Sequence, residues 1–173
     1  YPLKTQDMYK IYLFDYIGDW HPVYDKQGGV PGFETVRNSV ISHRGCSGGC
    51  SFCSLYLHQG RIIQSRSEDS IVEEIKRLAQ RKSFRGTVTD IGGPTANLYM
   101  AECESWTRGA CRNKMCLVPE KCKDLKLGYA RMMKLWDRVK RIPGVKHVFV
   151  GSGVRYDLLV DKYSDDFLKA LCA

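Results

Sequence analysis

The chain has 173 residues, 43% of them hydrophobic and 27% charged, proportions of a globular domain that exclude a disordered or fibrous chain. Lysine and arginine outnumber aspartate and glutamate by 27 to 19, a formal charge of +8 that suits a nucleic acid, a phosphorylated metabolite or an acidic protein without choosing among them. There is no charged-then-apolar leader and no apolar run long enough to span a bilayer, so a cytoplasmic protein without a membrane partner is expected.

In chain order, residues 1–35 read as an N-terminal extension and residues 36–173 as the core. The extension holds Tyr1, Tyr9, Tyr12, Phe14, Tyr16, Trp20, Tyr24 and Phe33, interrupted by glycines and prolines, and is expected to be irregular and to pack on the rest. A strand is predicted over Val36 to His43, running directly into a cysteine-bearing loop at 44–66. A helix follows, started by Ser67 with Glu68 and Asp69, or by Ser70 with Glu73 as a capping box. Ile71, Ile75, Leu78 and Ala79 repeat at helical spacing up to Lys82. Gly86 to Ile91 reads as a second strand ending in Gly92-Gly93-Pro94, and a cysteine-rich insertion occupies 101–127. A second helix, Tyr129 to Arg141, presents Met132, Met133, Leu135, Trp136 and Val139 as core residues and stops at Pro143-Gly144. Lys146 to Gly151 reads as a third strand. Ser164 begins a third helix, with Cys172 near its end expected to be a small core residue. This threefold alternation is the pattern of parallel βαβ units, an α/β fold. A closed eight-fold barrel needs roughly 250 residues, so the chain is expected to stop partway through such a fold.

Of eight cysteines, seven fall between residues 46 and 122, and three crowd into Cys46-Ser-Gly-Gly-Cys50-Ser-Phe-Cys53. This density points to metal rather than disulfide staples in a chain of this length. C-x3-C-x2-C gives three soft thiolates, which suits an iron-sulfur cluster with one iron left open. A zinc site at the same place would need a fourth ligand such as His43, His58 or a later cysteine. Cys103-x7-Cys111-x4-Cys116-x5-Cys122 places four more thiols in a connection whose length calls for a function or a staple. These four can hold zinc or an auxiliary iron-sulfur cluster, although the paired C-x2-C knuckle of common zinc sites is missing.

The C-x3-C-x2-C motif resembles that of the radical S-adenosylmethionine (SAM) superfamily. The longer stretch from Arg44 to Ile71, together with Asp90-Ile-Gly-Gly-Pro-Thr-Ala-Asn97 and Gly151-Ser-Gly-Val-Arg-Tyr-Asp157, is similar to the YgiQ family, bacterial proteins of unassigned function. The resemblance implies a partial (β/α)6 barrel of about three βα units, with Cys46, Cys50 and Cys53 as the catalytic ligands of a [4Fe-4S] cluster and SAM as the second cofactor. Reductive cleavage of SAM would yield a 5′-deoxyadenosyl radical that acts on a substrate, RNA or protein among the candidates. The reductant would be a protein such as flavodoxin or ferredoxin.

Carried over position by position, Phe52 stands where the superfamily places an aromatic residue beside the adenine. Gly92 and Gly93 match the glycine pair whose backbone lies against the methionyl amino group. Pro94 departs from the acidic residue often found there. Ser152 and Arg155 are candidates for the SAM carboxylate or ribose, with an Arg155–Asp157 ion pair as the alternative. Arg61, Gln64 and Arg66 resemble a basic segment near the cofactor. A chain using the same cysteines without SAM would be an electron-transfer module. One using the second cysteine group and the +8 charge would be a zinc-stabilised nucleic-acid-binding module.

Overall fold

The computed structural model describes residues 2–159 and 164–173, so Tyr1 of the aromatic set lies outside the described residues. The N-terminal extension is more ordered than its glycines and prolines suggest. It contains helix α1 (Thr5–Tyr12), a 3-10 helix at Pro22–Gln27 and a single turn, α2 (Pro31–Glu34). Only Met8 of α1 is buried, so the helix has almost no apolar stripe, which is why periodicity misses it.

The first predicted strand is two. β1 (Ser39–Ile41) runs parallel to β5 (Asp90–Gly92), while β2 (His43–Arg44) turns away to pair antiparallel with β3 (Gln64–Ser65). The cysteine loop, with the short helix α3 (Leu55–His58), therefore hangs between the two arms of a small antiparallel ladder. The central strand is also in two parts. β4 (Thr87–Val88) pairs parallel with β6 (His147–Val148), and β5 pairs with β1 on the opposite edge.

Thr89 separates β4 from β5, and its amide donates to the Asn38 carbonyl at 3.0 Å, continuing the ladder toward β1. Val88 and Ile91 are both fully buried in one core. The register on the β1 edge runs one-to-one from the Asn38–Thr89 contact through Ser39–Asp90 to Ile41–Gly92. Ile91 packs into the core, while Asp90 and Gly92, two residues apart, share the other face.

Helix α4 (Glu68–Ala79) begins at Ser67, whose hydroxyl accepts from the Ser70 amide at 3.2 Å. The first of the two expected caps is thus the one used. Helix α5 (Tyr129–Lys140) follows the insertion. Ile71, Ile75, Leu135, Trp136 and Val139 join Val40, Val88 and Ile91 in a single core, so α4 and α5 lie on the same side of the parallel strands. Full burial of each such aliphatic side chain contributes about 1.5–3 kcal/mol. Helix α6 (Ser164–Cys172) adds Phe167, whose ring centroid is 4.6 Å from Tyr129 and 5.2 Å from Trp136. Cys172 is exposed: it sits on the last turn, past the reach of Phe167, and is not the core residue expected.

A second apolar cluster forms beneath the insertion from Ile63, Leu98, Ala101, Leu117, Leu125 and Leu158, and it includes Cys46 and Cys116. The ends of the insertion are clamped by reciprocal backbone bonds between Glu102 and Lys126, each 2.9 Å. No helix among the described residues is long and apolar enough to cross a membrane.

Candidate functional site

The cysteine loop is closed at its neck. The Cys46 amide donates to the Gly60 carbonyl at 3.0 Å and the Gly45 amide to Gln59 Oε1 at 3.0 Å. Gly45 has φ +90°, and a Cβ there would run into the Ile62 carbonyl; only glycine meets both demands. Farther in, the Cys53 amide caps a turn on Cys50 at 3.2 Å. Two donors reach the sulfurs: the Gly48 amide to Cys46 Sγ at 3.4 Å, and Arg155 Nη1 to Cys50 Sγ at 2.9 Å. A Cβ on Gly48 would come within 2.6 Å of that guanidinium and 3.3 Å of Cys46 Sγ, so the glycine keeps the space beside the thiols open.

Burial pushes the Cys46 thiol up in pKa, opposed by the Gly48 amide and by Arg155. Because the thiolate is the ligating form, a cation beside this loop has a chemical purpose. All eight cysteines are free thiols. Among the described residues, no three His, Cys, Asp or Glu side chains are grouped closely enough to hold a metal ion. The donor set, the glycine-kept space and the adjacent guanidinium fit a thiolate-bound group. Phe52 projects into solvent, 92% exposed.

Beside the loop, at the carboxyl ends of β1 and β5, lies a cavity of about 350 Å³ lined by Tyr12, His43, Leu55, Asp90, Gly92 and Gly93, among others. Both glycines are there for close approach. A Cβ on Gly92 would collide with Ser152 Oγ, and one on Gly93 would come within 2.7 Å of His43. The Gly92 carbonyl, expected to face a ligand, is occupied: it accepts from the Ser42 amide at 2.6 Å and the Ser42 hydroxyl at 3.1 Å.

The carboxylate in this cavity is Asp90, the first residue of β5. Its Oδ1 accepts from the Ser152 amide and hydroxyl, each at 3.1 Å. Desolvation raises its pKa, offset in part by the Ser152 donors and by the amides of Gly151 and Ile91. No lysine or arginine among the described residues pairs with it. His43 is fully buried, with Nδ1 2.9 Å from Ser42 Oγ and Nε2 making no hydrogen bond. Burial lowers its pKa to about 4, against a smaller raising effect of the Thr95 backbone. The sequence offers His43 only as an alternative zinc ligand and Asp90 only as the start of the Asp90–Asn97 stretch. The available signal was an aspartate inside a strand, where it is disfavoured unless it has a task.

Of the expected ligand-binding residues, Ser152 is held by Asp90. Arg155 makes both the ion pair and a sulfur contact: Nε donates to Asp157 Oδ1 at 3.0 Å and Nη2 to Oδ2 at 2.5 Å, while Nη1 lies on Cys50. The proposed basic segment divides. Arg61 donates to the backbone carbonyls of Cys111 at 2.7 Å and Lys114 at 2.5 Å, fastening the insertion. Gln64 accepts from the Leu3 amide at 2.9 Å. Arg66 is fully buried, bonded to Glu74 at 2.6 Å, to the Ile41 carbonyl at 2.9 Å and to Ser70, and its guanidinium lies 3.7 Å from the Tyr12 ring centroid. It is a structural cation and not a solvated or ligand-facing one, because burial demands that its donors be satisfied within the chain.

The insertion thiols lie near the same place. Cys116 is buried and Cys122 packs on its cluster, with the Cys122 amide donating to the Cys116 carbonyl at 2.8 Å. Lys114 Nζ stands 3.4 Å from Cys122 Sγ. Burial raises the Cys116 pKa; the positive charge of Arg61 lowers it, and Cys122, Cys103 and Cys111 are near enough to add to the rise.

No family model matches the chain. It is 47% identical over 172 residues to a UPF0313 protein of Methanocella arvoryzae, 45% over 173 residues to one of Methanosarcina mazei and 42% over 172 residues to one of Clostridium botulinum. Each match takes in 99% of this chain but only 27–28% of the relative. The chain thus spans about a quarter of the length of the curated relatives it matches.

Proposed function

We propose that the chain is the cluster-binding portion of a radical SAM enzyme, with Cys46, Cys50 and Cys53 holding a [4Fe-4S] cluster and the neighbouring cavity taking SAM. The observation that carries this reading is a juxtaposition. A C-x3-C-x2-C loop stands beside a cavity bounded by Gly92 and Gly93, at the carboxyl ends of parallel strands, where β/α folds collect their active sites. Two consecutive helices on one side of parallel strands are what the first units of a partial (β/α)6 barrel require. A bound cluster would supply the electron that cleaves the SAM sulfonium to methionine and a 5′-deoxyadenosyl radical.

The chain's own residues have narrower tasks. Arg155, held by Asp157, offsets negative charge at Cys50. Gly48 leaves room beside Cys46. Asp90, fixed by Ser152, gives the cavity an unpaired carboxylate suited to an amino group. A reductant such as flavodoxin or ferredoxin and a substrate of RNA or protein belong to the same proposal for the whole protein. The nucleic-acid-binding alternative draws less support, because Arg37, Arg66, Arg138 and Arg155 are engaged in internal ion pairs.

Anaerobic reconstitution with iron and sulfide tests the reading. After reduction, the electron paramagnetic resonance spectrum is expected to show a [4Fe-4S] signal that shifts on adding SAM and is lost in Cys46→Ala, Cys50→Ala and Cys53→Ala. A signal that persists in all three variants and ignores SAM would refute it.

A further inference from the structure

We propose that the insertion spanning residues 101–127 is a metal-binding module separate from the Cys46–Cys53 loop, in which Cys103, Cys111, Cys116 and Cys122 hold a thiophilic metal centre.

The first support is placement. Cys116 and Cys122 share one apolar cluster and a backbone hydrogen bond. Arg61 draws the Cys111 carbonyl and the Lys114 carbonyl onto a single guanidinium, and Lys114 in turn reaches Cys122 Sγ. Cys103 follows Glu102, which is paired to Lys126 at the neck. These contacts tie the segments bearing Cys111, Cys116 and Cys122 to one another, and all four thiols are free. They do not stand at ligating distance of a common point. The part that must close is the run from Gly109 to Cys116, which has no helix or strand and starts at a glycine with φ +108° and open space around it.

Charge supplies the second support. Between residues 101 and 127 there are six basic residues, Arg108, Arg112, Lys114, Lys121, Lys123 and Lys126, against four acids, Glu102, Glu104, Glu120 and Asp124, a surplus of two. Four thiolates around a divalent ion carry a net charge of −2, so a filled site neutralises the segment.

Architecture supplies the third. The regular structure of the insertion is one 3-10 helix, Glu104–Arg108, and the Glu102–Lys126 bridge. A connection this long with so small a core is normally held by a staple, and no disulfide is present. Zinc and an iron-sulfur centre share the required chemistry.

The test is elemental analysis of the whole chain purified anaerobically. The Cys46→Ser/Cys50→Ser/Cys53→Ser variant is expected to retain either about one zinc per chain or iron with matching acid-labile sulfide. The first result identifies a zinc staple and the second an auxiliary cluster. Adding Cys103→Ser and Cys116→Ser should remove it. Should the triple variant fail to fold, Cys103→Ser/Cys116→Ser is made alone, with the first loop intact, and must lose the same metal. A folded triple variant without metal, with its remaining thiols all open to a thiol reagent, would overturn the proposal, as would unchanged metal content in Cys103→Ser/Cys116→Ser. Neither result bears on the radical SAM reading, which depends on the other three cysteines.

Discussion

Single side chains around the cavity are held for their charge. His43 is buried with a pKa near 4, below the unfolded value of about 6.5, so the unfolded chain binds the extra proton first. Its neutral burial therefore stabilises the fold above pH 6.5, and that contribution is lost as pH falls from about 6.5 to 4. The full loss is on the order of 3 kcal/mol. Urea midpoints measured across this window should fall for the wild type and flatten for His43→Gln; equal slopes for both would assign the acid sensitivity elsewhere. Asp90 makes the opposite kind of prediction. Asp90→Asn keeps the size and removes the charge, and S-adenosylhomocysteine is expected to bind about 10-fold more weakly by calorimetry, close to 1.4 kcal/mol. Binding of a deaminated analogue should change little, which separates a charge contact from a collapsed cavity.

Among elements, α4 is the best test of how local signals become structure. Its start depends on the Ser67 hydroxyl accepting the Ser70 amide, and Ser67→Ala should cost about 1 kcal/mol in chemical denaturation. Ile75→Ala, from the fully buried face of the same helix, should cost about 2–5 kcal/mol. Similar losses for both would mean that packing does not dominate there. Helices α4 and α5 were legible in the sequence because their apolar residues repeat at helical spacing over three turns. The strands were less so. The run from Gly86 to Ile91 reads as one strand, but it changes pairing partner at Thr89, from β6 to β1, and no periodicity signals that change. Likewise, spacing alone singles out Cys46, Cys50 and Cys53. Asp90, and His43 beyond its place as an alternative zinc ligand, escape notice because their roles arise from the Ser152 donors and from the close approach of Gly93, both of which are set by tertiary contacts. Helix α1 is illegible for the same reason, since Tyr12 is secured by Arg66, far along the chain.

For the molecule as a whole, the N-terminal residues are part of the site's support: Tyr12 lines the cavity, and Arg77 and Arg81 of the α4 region bond to the backbone at Tyr12, Ile17 and Gly18. Arg66 goes further. One buried guanidinium joins Tyr12 of α1, the Ile41 carbonyl at the end of β1, and Ser70 and Glu74 of α4, directly after the strand that closes the cysteine loop. None of those three segments can peel away without stranding a charge in an apolar interior. Their opening is therefore a single event, and the amides of Met8, Cys46 and Arg66 should exchange with solvent deuterium at a common rate, as members of one cooperative unit.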